Sequence, residues 1–149
     1  MKSKRIVVKI GTNVITNDKG RFDLVTITNI VDQICKLKSQ NYEIILVSSG
    51  AIGYGMGEIG LIKRPDNVLM RQVCASVGQS ILMAKYYDLF KDYEVKVAQV
   101  LITYNTLTNS TTYGNMKNNI EKLLELGIIP VINENDAIAT DEIEDAFGD

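Results

Sequence analysis

The amino-acid sequence predicts an α/β fold, a mainly parallel sheet sandwiched by helices. Two observations carry that reading. Four short apolar runs recur along the chain, each of strand length and rich in β-branched residues. The segments between three of them and the next place apolar residues at helical spacing, and strands alternating with helices build a parallel sheet. At 149 residues and 46% hydrophobic, the chain has material for one domain with its own core. No internal repeat, low-complexity linker or domain boundary interrupts residues 1–149.

Arg5-Ile6-Val7-Val8-Lys9-Ile10 is the first strand, ended by Gly11. Thr12 to Arg21 is polar, with a turn signal at Asn17-Asp18-Lys19-Gly20. Asp23 is the expected N-cap of a helix from Leu24 to about Ser39, with Leu24, Ile27, Val31, Ile34 and Leu37 on its apolar face. Ile44-Ile45-Leu46-Val47 is the second strand. It runs into Ser48-Ser49-Gly50-Ala51 and a glycine-rich stretch to Gly60, expected to be helical in part. Asp66 is the expected cap of a long helix to about Tyr93, with Val73, Val77 and Ile81 facing inward. Val95 to Ile102 is the third strand, and a polar loop over Thr103 to Thr112 follows. Tyr113, Met116, Ile120, Leu123 and Leu124 mark another helix, with Gly127 as its C′ residue. Ile128-Ile129-Pro130-Val131-Ile132 is the fourth strand. Pro130 lacks an N–H, so it argues for an edge position or an irregular ladder. Asn133 to Asp149 is polar and acidic.

Composition excludes several classes. The chain has no histidine, which removes Ser-His-Asp and Cys-His catalysis, histidine metal sites and the commonest general base. The net charge of −2, from 16 basic and 18 acidic residues, gives no basic field for nucleic acid. No apolar run reaches the roughly 18 residues of a membrane span. Met1 to Arg5 leads straight into a strand with no signal-peptide core, so a cytoplasmic location is expected. Cys35 and Cys74 lack CxxC spacing and read as buried thiols.

In open α/β sheets, ligands sit outside the carboxyl ends of the strands. Three such ends are rich here: Lys9-Ile10-Gly11-Thr12-Asn13, Ser48-Ser49-Gly50-Ala51 and Asn133-Glu134-Asn135-Asp136. Lys9 is either a side chain reaching to the surface at a sheet end or a cation aimed at a phosphate. Ser48-Ser49-Gly50 is either a plain turn or a small-residue loop presenting backbone N–H groups to an anion. Asn133 to Asp136 is either a self-satisfied Asx turn or a polar clamp for an ammonium or metal.

Other patterns are weaker. Gly55-Met56-Gly57-Glu58-Ile59-Gly60 fits GxGxxG by letter, but seven residues separate it from the strand, so close helix packing or flexibility explains it better. There is no P-loop. Asp141 to Asp145 lacks the glycine and spacing of a calcium loop. The Asn109-Ser110-Thr111 sequon carries little weight without an export signal.

Taken together, four blocks resemble the glutamate 5-kinases of the amino acid kinase family. They are Val7 to Val14, Val47 to Ile52, Gln72 to Gln79 with Val77-Gly78-Gln79, and Pro130 to Ala137. The resemblance runs in order over nearly the whole chain. It implies an αβα fold and ATP-dependent phosphorylation of the γ-carboxylate of L-glutamate to glutamyl 5-phosphate, the first step of proline synthesis. It implies Lys9, Gly11 and Thr12 at the ATP phosphates, with Lys9 the catalytic cation. Ser49, Gly50, Ala51, Asn133 and Asp136 would hold glutamate, Asp136 facing its α-ammonium. Thr103 to Tyr113 would border the pocket. ATP and Mg2+ are the implied cofactors, and no protein residue is assigned to the metal. The resemblance further implies a homo-oligomer when complete, with proline as an inhibitor. No nucleic acid or membrane partner is expected.

The chemistry agrees with the missing histidine. A carboxylate acceptor is already ionised at neutral pH, so transfer needs positioning and charge neutralisation rather than a base.

The family pattern continues beyond Gly148-Asp149 with an Asn-Asp pair and further elements carrying a second glutamate ligand, the nucleotide-base pocket and another lysine. The approach through Glu144-Asp145-Ala146 is slightly longer than the family's. The expectation is therefore the glutamate-binding part of such a kinase, inactive alone, with its nucleotide-binding part absent. The alternatives are the kinase domain of a bifunctional pyrroline-5-carboxylate synthase, another amino acid kinase, or a non-catalytic amino-acid-binding module.

Overall fold

The computed structural model describes residues 4–17 and 22–139. The order of elements is β1 (Arg5–Ile10), α1 (Thr12–Ile15), α2 (Leu24–Ser39), β2 (Glu43–Ser48), α3 (Ala51–Ile59), α4 (Val68–Lys91), β3 (Val97–Ile102), α5 (Tyr104–Thr108), α6 (Ser110–Glu125) and β4 (Ile129–Glu134). The four strands form one sheet in the order β1-β2-β4-β3, and every pairing is parallel. The α/β architecture expected from the alternating pattern is what the chain adopts.

The sheet has two unlike faces. Ile10, Ile44, Leu46, Ile129 and Val131 point to one, where they pack with Ile27, Val31 and Ile34 of α2 and Leu82, Tyr86 and Phe90 of α4. Arg5 emerges on the other face. Its guanidinium donates to Glu43 of β2 and to both carboxylate oxygens of Glu121 on α6. Asp23 caps α2 as expected, its side chain accepting from the Thr26 N–H at 3.0 Å. Gly127, at φ +74°, ends α6: its N–H donates to the Leu124 carbonyl and that of Ile128 to the Leu123 carbonyl.

Several expectations are corrected. Asn67, not Asp66, caps α4, accepting from the Met70 N–H at 3.2 Å. The buried face of α4 is Cys74, Ala75, Gly78, Leu82, Tyr86 and Phe90, whereas Val73 is 39% exposed and Val77 and Ile81 are half-buried. Hydrophobicity favours the β-branched residues, but between Cys74 and Gly78 α3 crosses α4 too closely for anything but small ones. Leu24 is likewise exposed at the start of α2. The polar stretch after β1 contains the one-turn α1. The stretch Thr103 to Thr112 is not a loop: α5 starts with a Thr103–Thr106 capping box, and Asn109 caps α6 by accepting from the Thr111 and Thr112 N–H groups. That cap gives the Asn109 sequon a structural role.

Pro130 lies in an interior strand, between β2 and β3. The position is neither at an edge nor in an irregular ladder, since the pairing with β3 runs unbroken through Pro130. The Ile129 and Asn135 N–H groups donate toward β3, so alternation turns the Pro130 nitrogen toward β2. There the ladder begins only at Leu46 opposite Val131, so no bond is lost. The turn residues Asp18 to Gly20, the acidic stretch Asp141 to Asp145 and Asp149 lie outside the described residues.

Candidate active site

A cavity of about 460 Å³ opens at the carboxyl ends of the strands. Lys9 and Thr12 line it from β1 and α1, Ser49, Gly50 and Ala51 from the turn into α3, and Asn133 and Asp136 from the end of β4. Seven of the eight residues singled out from sequence thus share one cavity. Gly11 is not among the lining residues; it caps α1, and its carbonyl accepts from the Val14 and Ile15 N–H groups. No residue from Thr103 to Tyr113 lines the cavity; Ile102, at the end of β3, does.

The turn between β2 and α3 is built for close approach. Gly50 sits at φ +103° and ψ 0°, a left-handed conformation that a side chain would strain. No side chain caps α3. Its backbone ladder begins with the Tyr54 N–H donating to the Gly50 carbonyl. The Ala51, Ile52 and Gly53 N–H groups therefore belong to the open first turn, and all three residues line the cavity. Free N–H groups and the positive end of the helix dipole together favour an anion there.

Ser48 backs this turn from inside. Its Oγ lies 2.7 Å from the Tyr86 hydroxyl and donates to the Ser49 carbonyl at 3.1 Å. Tyr54 packs alongside, its ring 5.4 Å from that of Phe22. Burial pushes the phenols of Tyr54 and Tyr86 above their ordinary range, partly offset at Tyr86 by the Ser48 bond.

Two glycines seat α3 on α4. A Cβ on Gly55 would collide with the Cys74 carbonyl, and one on Gly78 with the Ala51 carbonyl. Close helix packing therefore explains Gly55 in the GxGxxG-like stretch, while Gly57 faces open space. The same helix α4 reaches the end of β4 and the loop after it: Gln79 Oε1 accepts from Asn133 Nδ2, and Gln72 Nε2 donates to the Ala139 carbonyl. Asn133 Oδ1 accepts from the N–H of the next residue, Glu134, whereas an Asx turn would reach the residue two on.

Sequence reasoning missed Arg64 and Glu134 as lining residues. Arg64 reaches the cavity from the α3–α4 connection, and nothing in its linear spacing signals that. Glu134 belongs to the Asn133 to Asp136 cluster singled out from sequence, but strand alternation sets it opposite Asn133 and so did not signal that both line the cavity. The cavity thus carries two cations, two carboxylates and an open helix N-terminus.

The sequence profile of the amino acid kinase family matches residues 4–149. The chain belongs to the amino acid kinase family. Among its curated relatives, the glutamate 5-kinase of Methanosarcina mazei is 43% identical over 152 residues, covering 97% of this chain and 40% of that one. That of Nostoc punctiforme is 44% identical over 148 residues, covering 99% and 40%. That of Clostridium perfringens is 45% identical over 149 residues, covering 99% and 55%. The chain thus spans 40% to 55% of the length of these family members. Among the described residues, no helix is long and apolar enough to cross a membrane.

Proposed function

We propose that the chain is the glutamate-binding part of a glutamate 5-kinase, an enzyme that transfers the γ-phosphoryl of ATP to the γ-carboxylate of L-glutamate. The observation that carries this reading is the convergence of Lys9, the open α3 N-terminus and Asp136 on one cavity. The identity to curated glutamate 5-kinases supports it.

Each residue has a role that its chemistry suits. Lys9 brings a flexible cation to the transferring phosphates. The first-turn N–H groups of α3 face charge that grows on the phosphoryl oxygens and need no reorganisation to do so. Ser49 and Asn133 supply hydrogen bonds to the substrate, and Asp136 pairs with its α-ammonium. The nucleophile is a carboxylate oxygen, which attacks the γ-phosphorus as the bond to the ADP oxygen breaks. No proton moves, so no imidazole is needed.

Mg2+, when bound, neutralises phosphate charge. It typically keeps several waters and takes one or two carboxylates beside the phosphates. Glu134 and Asp136 are oxygen donors of that kind, and among the described residues no cluster of three or more metal-ligating side chains occurs. The nucleotide base is assigned, in this reading, to the part of the relatives' length that these residues do not span.

A ligand panel tests the reading. Calorimetric titration should show L-glutamate binding, with L-glutamine and 2-oxoglutarate each at least tenfold weaker. The first lacks the γ-carboxylate and the second the ammonium. Equal binding of all three would refute the assignment.

A further inference from the structure

Gln79 lies on α4 directly after Gly78 and joins that helix to the end of β4. Its Oε1 accepts from Asn133 Nδ2 at 3.0 Å, and Asn133 Oδ1 accepts from the Glu134 backbone N–H at 2.9 Å. These three groups have one consistent orientation. A backbone N–H can only donate, so it takes the Asn133 oxygen. Asn133 then offers its nitrogen, and Gln79 must answer with its oxygen. The same order leaves Gln79 Nε2 buried with no partner. A buried donor without a partner is costly, so the orientation follows from the Asn133 and Glu134 bonds and not from any gain at the Gln79 nitrogen.

We propose that Gln79 is a positioning residue that presents Asn133 to the substrate, an inference that rests on the glutamate site proposed above. Asn133 has a second N–H and a second oxygen lone pair beyond the two bonds described, and it lines the cavity. With Gln79 accepting, the Asn133 amide cannot invert without setting nitrogen against nitrogen. Its remaining N–H is thereby held as a donor of fixed direction for a substrate carboxylate. Gln79 itself is not a catalytic residue; it acts through Asn133.

A double-mutant cycle with a ligand-free readout tests this. Gln79→Leu should weaken L-glutamate binding at least tenfold in the wild-type background. In an Asn133→Ala background the same change should alter binding less than twofold, because the residue it orients is gone. A general loosening of the fold would instead weaken binding equally in both backgrounds, and that result overturns the proposal. In the ligand-free protein, Gln79→Leu should move the Asn133 side-chain amide resonances toward solvent-exposed positions. Unmoved resonances in a folded variant also overturn it. If the wild type binds no glutamate, the functional reading fails by itself, and the amide resonances still decide the role of Gln79.

Discussion

Gly78 of α4 lies against the carbonyl oxygen of Ala51 so closely that no Cβ fits between them. Ala51 opens α3, whose first turn lines the cavity. The long helix therefore sets where the anion-facing N–H groups stand. Gly55 makes the reciprocal contact against Cys74 one turn further along α3.

Gly78→Ala should force the two helices apart. Overpacking of this kind typically costs about 1–3 kcal/mol, and backbone against backbone belongs at the upper end. Gly57→Ala, on the facing helix α3 and in open space, should stabilise by about 0.5–1 kcal/mol through helix propensity. Urea melts of both variants check this. A neutral Gly78→Ala would remove the proposed role of the crossing.

Lys9→Met should weaken binding of inorganic triphosphate at least tenfold, about 1.4 kcal/mol, and leave the melting midpoint within error. Lys9 is exposed, so its removal creates no cavity. Titration at two salt concentrations checks it, and the wild-type affinity should fall as salt rises. Unchanged triphosphate binding would take Lys9 out of the site.

Stability should be flat between about pH 6 and 8 and fall on both sides, because no histidine titrates in that window. On the acid side, the Thr26 N–H holds Asp23 below the usual carboxylate range, the Lys36 ammonium does so for Asp32, and the Arg5 guanidinium for Glu121. Their unfolded forms bind protons first as the pH drops, so their contribution is present above the ordinary carboxylate pKa and lost below it. On the alkaline side, burial pushes the Cys35 thiol up to about 11 and raises the Tyr54 and Tyr86 phenols. Their unfolded forms lose protons first, so stability declines above about pH 9. Urea midpoints from pH 3 to 11 measure the curve. A step near pH 6.5 would contradict it.

Cys35 and Cys74 are both buried and free. With the Cys35 thiolate disfavoured by burial, the folded protein should leave a thiol reagent unconsumed at pH 8. Two equivalents should react on unfolding in guanidinium. Rapid reaction of the native protein would show that one thiol is accessible.

Much of this was legible in the sequence for a physical reason. Short β-branched apolar runs set between helical patterns read as strands, and ligand sites gather at their carboxyl ends. Lys9, Ser49, Asn133 and Asp136 could therefore be singled out before their meeting place was known. What stayed hidden depends on distance in space. Gly55 and Gly78 are ordinary glycines until two helices cross at them. Cys74 and Ala75 are buried because they are small, which a hydrophobic stripe through Val73 and Val77 does not convey. Arg64 sits in a connection whose path no periodicity describes. Pro130 is tolerated inside the sheet only because the β2 ladder starts one residue later.

In the proposed glutamate site at the strand ends, Asp136 is the partner of the substrate ammonium. Calorimetric titration of L-glutamate into the 149-residue chain, wild type beside Asp136→Ala, tests it most directly. Saturable binding by the wild type is expected, with its loss in a variant that melts at an unchanged midpoint. Binding of equal strength by Asp136→Ala would contradict it, as would a wild type that takes up no glutamate.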